Sequence, residues 1–222
     1  APGEDAAGTS FAGLHESYVN ISGAEEILEH VKLIWASLWS DRALLYRQEL
    51  NLSVESSAIA VIVQELIAGD KSGVAFSRSP QDTGQAVIEA VYGLNQGLVD
   101  GVVEPDRWIL DRDTGRIVSH KQPPRTQCMA GGSTGVALQP IPPESREVPP
   151  LSDDEVAQVF RLARDAEDLF GSAQDVEWTF AGSQLFALQS RPITTGTAGE
   201  ENDKRAWYLS LRRSFENLKT LR

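Results

Sequence analysis

Two alternating runs of residues around a short turn constrain this chain more than any other feature. The runs are Ala173 to Phe180 and Gln184 to Arg191, and Ala181-Gly182-Ser183 separates them. Alternation of polar and apolar residues on both sides of a Gly-containing turn predicts an antiparallel hairpin. A three-residue loop would pair Phe180 with Gln184, and that pairing decides which side chains share a face.

The predicted pairing divides the hairpin into a polar and an apolar face. Glu177 would lie opposite Ala187, and Asp175 opposite Gln189. Because side chains alternate along a strand, the polar face would carry Asp175, Glu177, Gln189 and Arg191. The apolar face, expected to be the core side, would carry Val176, Trp178, Phe180, Phe186 and Leu188. A two-residue loop would shift the pairing by one residue, and Gln189 and Arg191 would then lie on the face opposite to Asp175 and Glu177.

The polar face has the residue types that phosphoryl chemistry requires. Two carboxylates two residues apart on a rigid strand, Asp175 and Glu177, can hold Mg²⁺, which takes oxygen ligands and keeps phosphate oxygens among them. Arg191 can donate two hydrogen bonds to a phosphoryl oxygen. The alternative is a solvated sheet face whose cross-strand ion pair contributes less than ~1 kcal/mol.

Composition narrows the class of partner. The 222 residues carry a formal net charge of -12, which argues against nucleic acid and anionic membranes as partners. Cys128 is the single cysteine, so no disulfide can form within the chain. No apolar run reaches the ~18 residues of a membrane span, and the first ten residues do not resemble a signal peptide. These features predict a cytoplasmic protein, here trimmed or processed because the chain does not begin with Met.

Other local patterns predict a mixture of helices and strands. Ser22-Gly-Ala-Glu25 and Ser152-Asp-Asp-Glu155 both have the spacing of a capping box at a helix start. We expect a first helix with a buried stripe, a short helix over 41–48, and a helix that begins near 152 and ends near Gly171. The stripe comprises Ile27, Val31, Ile34 and Leu38, and the buried face of the last helix comprises Val156, Val159, Phe160, Ala163 and Phe170.

Strands are predicted at five places before the final hairpin. The run over 58–67 is apolar and β-branched, which predicts a buried strand. Shorter strands are expected over 73–77, 86–91, 107–111 and 116–120, with a turn at Asp113-Thr-Gly115 between the last two. The range 122–150 holds seven of the eleven prolines and is predicted to be a long surface loop.

Several segments, in order, resemble the nucleotide-binding domain shared by phosphoenolpyruvate synthase, pyruvate phosphate dikinase and rifampicin phosphotransferase. The resemblance spans about residues 1–195. The segments are Ser10-Phe-Ala-Gly13, Trp35-Ala-Ser-Leu-Trp39 with Arg42 and Tyr46, Ile62-Val-Gln64, Ser72-Gly-Val-Ala-Phe-Ser77, Ile88-Glu-Ala90 with Gly93-Leu94, Asp175-Val-Glu-Trp178 and Leu188-Gln-Ser-Arg-Pro192.

The resemblance implies an α+β fold of the ATP-grasp type, present in part, with its N-terminal subdomain missing. Residues 1–195 would be the C-terminal part of that domain, and residues 196–222 a linker and the start of a helix leading to the next domain. The cofactors implied are ATP and Mg²⁺. Asp175 and Glu177 would hold the metal, and Gln189 and Arg191 would be the catalytic residues that meet the phosphates. Gln64 would lie beside the nucleotide, and Gly13 and Ser17 would belong to a phosphate-covering loop.

The activity implied is the conversion of pyruvate and ATP to phosphoenolpyruvate through a phosphohistidine. The partners would be a swivelling domain that carries this histidine and a domain that binds pyruvate, both in the same parent chain. None of the three histidines here has the phosphohistidine context, so we expect the chain to be inactive alone. We also expect it to form a homodimer through uncovered apolar surface.

Three alternatives stay open at this stage. A rifampicin-type antibiotic phosphotransferase and a pyruvate phosphate dikinase would use the same ATP-binding domain. A non-catalytic nucleotide-binding or interaction domain is the alternative from a different class. Ser17, His15 and Gln96 stand where the family commonly has Thr, Gln and Glu, which leaves the substrate undecided.

Overall fold

A computed structural model describes residues 16–49, 58–132 and 135–193 of this chain. Two helices come first, α1 (Ala24–Ser37) and α2 (Asp41–Glu49). The remaining elements follow in chain order: β1 (Lys71–Phe76), β2 (Gln85–Tyr92), α3 (Gln96–Val99), β3 (Asp106–Asp111), β4 (Ile117–Lys121), β5 (Gln127–Gly131), β6 (Val136–Pro140), α4 (Pro143–Arg146), α5 (Asp153–Phe170), β7 (Gln174–Ala181) and β8 (Gln184–Pro192). The predicted mixture of helices and a mainly antiparallel sheet is confirmed.

Six strands form the main sheet, in the order β4-β3-β2-β1-β7-β8. Every neighbouring pair is antiparallel, so the last hairpin joins the sheet through β7 beside β1. Strands β5 and β6 form a separate antiparallel pair, which contacts the end of β2 through a bridge between Gly93 and Met129. The site strands therefore lie at one end of the sheet, with β8 as the outermost strand.

Helix α5 covers one face of the main sheet and forms the core with it. Its capping box is present as predicted: Ser152 Oγ accepts from Glu155 N–H, and the Glu155 carboxylate accepts from Ser152 N–H. The helix ends at Gly171. The largest fully buried core side chains come from the three strands β2, β3 and β7 and from α5, and they are Trp108, Trp178, Phe180, Ile88, Leu110, Val156, Val159 and Val176. Phe170, predicted for the buried face, is 59% exposed because it lies in the last turn, beyond the sheet.

The other capping box prediction is wrong. Helix α1 begins at Ala24 after Gly23, which is the N-cap residue and makes no side-chain cap. Ser22 therefore lies one residue outside the position from which its hydroxyl could cap the helix. The predicted α1 stripe is only partly buried: Leu38 is buried, whereas Ile27, Val31 and Ile34 are half-buried.

Two further predictions are corrected. The range 58–67 is not a strand; Ile62 and Val63 are 85% and 64% exposed, because within the described part of the chain no strand pairs with this segment. An apolar, β-branched composition favours a buried strand. A strand also needs a neighbouring strand to which its backbone can hydrogen-bond, and composition does not show whether one is present. The predicted loop over 122–150 contains β5, β6 and α4.

In the portions of the chain that the structure describes, no helix combines the length and the apolar character required to cross a membrane.

Candidate functional site

The last hairpin has the predicted arrangement of its polar residues, but its loop length and its strand pairing differ from the prediction. Ala181 pairs with Gln184, so the loop has two residues and the predicted three-residue loop is wrong. The shorter loop alone would have reversed the parity of the two strands. A register shift between Glu177 and Trp178 leaves Leu188 as an extra residue in β8, and such a bulge restores the parity.

The bulge places the four polar residues together. Glu177 pairs with Gln189, and Asp175 pairs with Arg191. Residues paired across an antiparallel ladder share a face, so all four side chains belong to the face that α5 does not cover. On the turn side of the bulge the prediction fails, because Phe186 pairs with Thr179 and shares the polar face, whereas Leu185 packs against the core.

Asp175 and Arg191 form a cross-strand ion pair. The Nε and NH2 atoms of Arg191 donate to Oδ2 of Asp175 at 2.9 and 2.8 Å. The Asp175 side chain is 8% exposed and that of Arg191 is 34% exposed, so the carboxylate is buried while the guanidinium reaches the surface. The other oxygen, Oδ1, is buried and has no hydrogen-bond partner among the described residues. A buried carboxylate oxygen of this kind is suited to a cation.

Glu177 lies in an environment that disfavours the ionised form of its carboxyl group. Burial raises the pKa of its carboxyl above the usual value, and the negative charge of Asp175 raises it further. A hydrogen bond from Asn95 and the positive charge of Arg191 oppose this rise in pKa. The Asn95 Nδ2 atom donates to Glu177 Oε2 at 2.9 Å. Perturbed carboxyl groups of this kind are frequent in functional sites.

The remaining predicted residues are distributed around the hairpin. Gln189 is exposed on β8. Gln64 is also exposed, and its Nε2 donates to the carbonyl oxygen of Leu188, the bulge residue, at 3.3 Å. Ser17 is exposed near the start of the first described range. Gly13 lies outside the described residues.

The face continues across the sheet beyond the predicted residues. Glu177 pairs with Val74, Val74 with Glu89, and Glu89 with Arg107. The Arg107 NH1 atom lies 3.4 Å from Glu89 Oε1. Sequence reasoning did not assign Asn95, Glu89 or Arg107 to a site, because only the strand order shows that β2 and β3 extend the face formed by β7.

The donor set is compatible with a magnesium ion bound together with phosphate oxygens. Mg²⁺ is often bound through one or two carboxylates, and substrate phosphates and waters complete its octahedron. Asp175 and Glu177 supply that number, and the buried oxygens Asp175 Oδ1 and Asn95 Oδ1 have no hydrogen-bond partner within the described ranges. Over those same ranges no group of three or more His, Cys, Asp and Glu side chains could enclose a metal by itself.

Comparison with known proteins gives a consistent family assignment. Residues 1–209 match the family described as pyruvate phosphate dikinase, AMP/ATP-binding domain. The chain is similar to a probable phosphoenolpyruvate synthase of Methanothermobacter thermautotrophicus (38% identical over 206 residues, 91% of this chain) and to another of Archaeoglobus fulgidus (37% over 196 residues, 88%). It is also similar to a rifampicin phosphotransferase of Bacillus subtilis (34% over 198 residues, 88%).

The matched region is a minor part of each relative. The chain spans 30% of the length of the Methanothermobacter protein, 26% of the Archaeoglobus protein and 23% of the Bacillus protein. The similarity therefore concerns one domain of longer proteins, and it extends over both the described site and the segments around it.

Proposed function

Because the chain belongs to the pyruvate phosphate dikinase AMP/ATP-binding domain family, we propose that its polar hairpin face binds the phosphates of Mg·ATP. The observation that carries the proposal is the cross-strand set Asp175, Glu177, Gln189 and Arg191, held on one face by the β8 bulge. We propose further that residues 1–195 are the C-terminal part of an ATP-grasp domain. Residues 196–222 would be a linker and the start of a helix leading to the next domain.

Each residue has a distinct part in the proposed site. Glu177 and Asp175 would hold Mg²⁺, which when bound neutralises charge on the phosphates. Arg191 already reaches the surface from its ion pair with Asp175, so its guanidinium can contact a phosphoryl oxygen without burying an unpaired charge. Gln189 is exposed on β8, opposite Glu177 and two residues before Arg191, and its amide would also contact the phosphates. Gln64, beside the bulge, would contact the nucleotide, and Gly13 and Ser17 would cover the phosphates.

For the whole protein we propose a pyruvate phosphotransferase. ATP would be split at this domain, a phosphoryl group would pass to a histidine on a swivelling domain, and that domain would deliver it to pyruvate. With water accepting the other phosphoryl group, ATP, pyruvate and water give AMP, phosphoenolpyruvate and phosphate. These substrates would place the protein in the cytoplasm.

A rifampicin-type phosphotransferase is the second candidate. The observation in its favour is the similarity to the Bacillus subtilis rifampicin phosphotransferase, which is 34% identical to this chain, against 38% for the Methanothermobacter phosphoenolpyruvate synthase. Both candidates use the same ATP site, so only the phosphoryl acceptor separates them. AMP formation that depends on pyruvate supports the first candidate, and AMP formation that depends on rifampicin supports the second. ATP binding without AMP formation from either acceptor favours a non-catalytic nucleotide-binding domain.

The binding proposal is tested by titrating the complete protein with ATP and Mg²⁺ in a calorimeter. Glu177→Ala and Arg191→Ala should each weaken binding at least about tenfold, because each removes a charged contact to the metal or the phosphates. Arg161→Ala and Asp168→Ala are matched controls, since both side chains are exposed on α5 at the opposite face of the sheet. Unchanged binding in both hairpin variants would show that the face is a solvated sheet surface.

A further inference from the structure

Asn95 lies in the turn between β2 and α3, and backbone contacts hold this turn on two sides. The Gly93 N–H donates to the Asp70 carbonyl at 2.8 Å, and the Leu94 N–H donates to the Met129 carbonyl at 2.8 Å. Gly93 has φ 75°, and a Cβ there would lie 2.2 Å from the Met129 oxygen, so the turn requires glycine. The Asn95 side chain is therefore carried on a backbone attached to β5 and to the residue before β1.

The side chain from this turn reaches the centre of the polar face. Asn95 is 8% exposed, and its Nδ2 donates to Glu177 Oε2 at 2.9 Å. The amide is neutral, so it orients the carboxylate without cancelling the negative charge. Arg191, in contrast, forms an ion pair with Asp175 in the next polar position of the same strand. The two carboxylates are thus held in different ways, one by a cation and one by an amide.

A purely structural role does not account for this asparagine. Its Oδ1 is buried without a hydrogen-bond partner among the described residues. Burying an amide with one unsatisfied atom destabilises a fold relative to an apolar side chain of the same size. The contact to Glu177 is the feature that an apolar side chain could not reproduce.

We propose that Asn95 is a positioning residue that holds the Glu177 carboxylate in the orientation in which it binds the Mg²⁺ of Mg·ATP. The inference rests on the proposed function, because Glu177 is a metal ligand only there. Side chains that hydrogen-bond to metal ligands typically change metal affinity 10- to 100-fold when they are removed. Removing the Asn95 amide should therefore weaken the binding of Mg²⁺ and leave the metal-independent contacts to ATP unchanged.

The test compares the complete wild-type protein with Asn95→Leu and Asn95→Ser. Leucine keeps the branched shape of the side chain and removes the donor, whereas serine is tolerated at a helix start but is one bond too short to reach Glu177. We expect both to raise the half-saturating Mg²⁺ concentration about tenfold at fixed ATP. The affinity for ATP measured in EDTA should stay unchanged. Should the leucine variant fail to fold, the serine variant decides.

Glu177→Gln is the reference variant, because it changes the proposed metal ligand itself. Ser190→Ala is the control variant for a change in the same hairpin away from the polar face. Ser190 lies in β8 between Gln189 and Arg191, but it hydrogen-bonds to Gln174 on the opposite face. If Glu177→Gln raises the Mg²⁺ requirement and the folded Asn95 variants do not, the inference is wrong and the proposed function stands. A parallel loss of ATP affinity with and without metal would mean a structural role and would also overturn the inference. Failure of the wild type to bind Mg·ATP would overturn the proposed function itself.

Discussion

At the residue scale, the polar side chains with the strongest contacts divide between the site and the core. Asp175 and Glu177 lie on the face of the sheet that α5 does not cover, where we propose that they bind a ligand. Glu167 lies under the other face, is 5% exposed, and accepts hydrogen bonds from Arg78 at 2.8 and 2.5 Å and from Arg112 at 2.7 Å. Paired charges buried in this way contribute to the pH dependence of folding.

Glu167 should make the protein less stable at low pH. Burial raises its pKa, but hydrogen bonds from Arg78, Ser77 and Arg112 lower it more, and the result is a pKa of about 2. A carboxyl whose pKa is lower in the folded state stabilises the fold above its unfolded pKa, and this contribution disappears as pH falls through the folded pKa. The loss should occur between pH ~4.5 and ~2 and amount to about 3 kcal/mol or less.

Denaturant unfolding measured from pH 7 to pH 2.5 tests this expectation. The free energy of unfolding of Glu167→Gln should fall less steeply below pH ~4.5 than that of the wild type. Asp168→Asn is the control, because its carboxyl is adjacent in sequence and exposed. Parallel curves for Glu167→Gln and wild type would show that the Arg contacts do not stabilise the ionised carboxylate.

At the scale of elements, local patterns predicted part of the structure, although the equally local capping box at Ser22 is wrong because α1 begins after Gly23. The capping box at Ser152 and the hairpin were predictable because the residues that define them are neighbours in sequence. The bulge at Leu188 has no sequence signal, and the predicted polar face emerged because an error in loop length and the omission of the bulge cancelled. Asn95 and Arg107 could not be assigned to the face, since that requires knowing that β1 lies between β2 and β7.

Gly73 shows how closely the central strands approach each other. A Cβ on Gly73 would lie 1.9 Å from the Glu89 carbonyl oxygen and 2.6 Å from Cζ2 of Trp178. Neither the backbone of β2 nor the buried indole can move aside easily, so Gly73→Ala should destabilise the fold by about 1–3 kcal/mol. Thermal or denaturant unfolding would measure the change.

Gly84→Ala is the matched glycine control for that measurement. Its Cβ would meet only the Asp82 side-chain oxygen, at 3.3 Å, so we expect a change within about 1 kcal/mol of either sign. A Gly73→Ala variant as stable as Gly84→Ala would mean that β1 and β2 can separate without cost. It would also argue against the close packing of Trp178 over β1.

At the scale of the whole molecule, the apolar residues are unevenly covered. Helix α5 covers its face of the sheet. In contrast, α1 exposes Leu28 and Trp35 at 60% and 52%, and these two side chains lie two turns apart on one flank beside the half-buried stripe. Ile62 and Val63 add further exposed apolar surface. Exposed apolar patches are typical of surfaces that associate with another chain or domain. The matched relatives are several times longer than this chain, so most of each relative lies outside the matched region.

The uncovered flank of α1 should make the isolated 222-residue chain self-associate. Hydrophobic association scales with the apolar area removed from water, and Leu28 and Trp35 are among the larger exposed apolar side chains. Sedimentation velocity over a concentration series should therefore show dimers that Leu28→Gln with Trp35→Gln removes. Leu169→Gln, at a site 78% exposed on α5, should leave the dimer intact. A chain that is monomeric at every concentration, or a dimer that persists in the double variant and dissociates in the control, would mean that the α1 flank is not the associating surface.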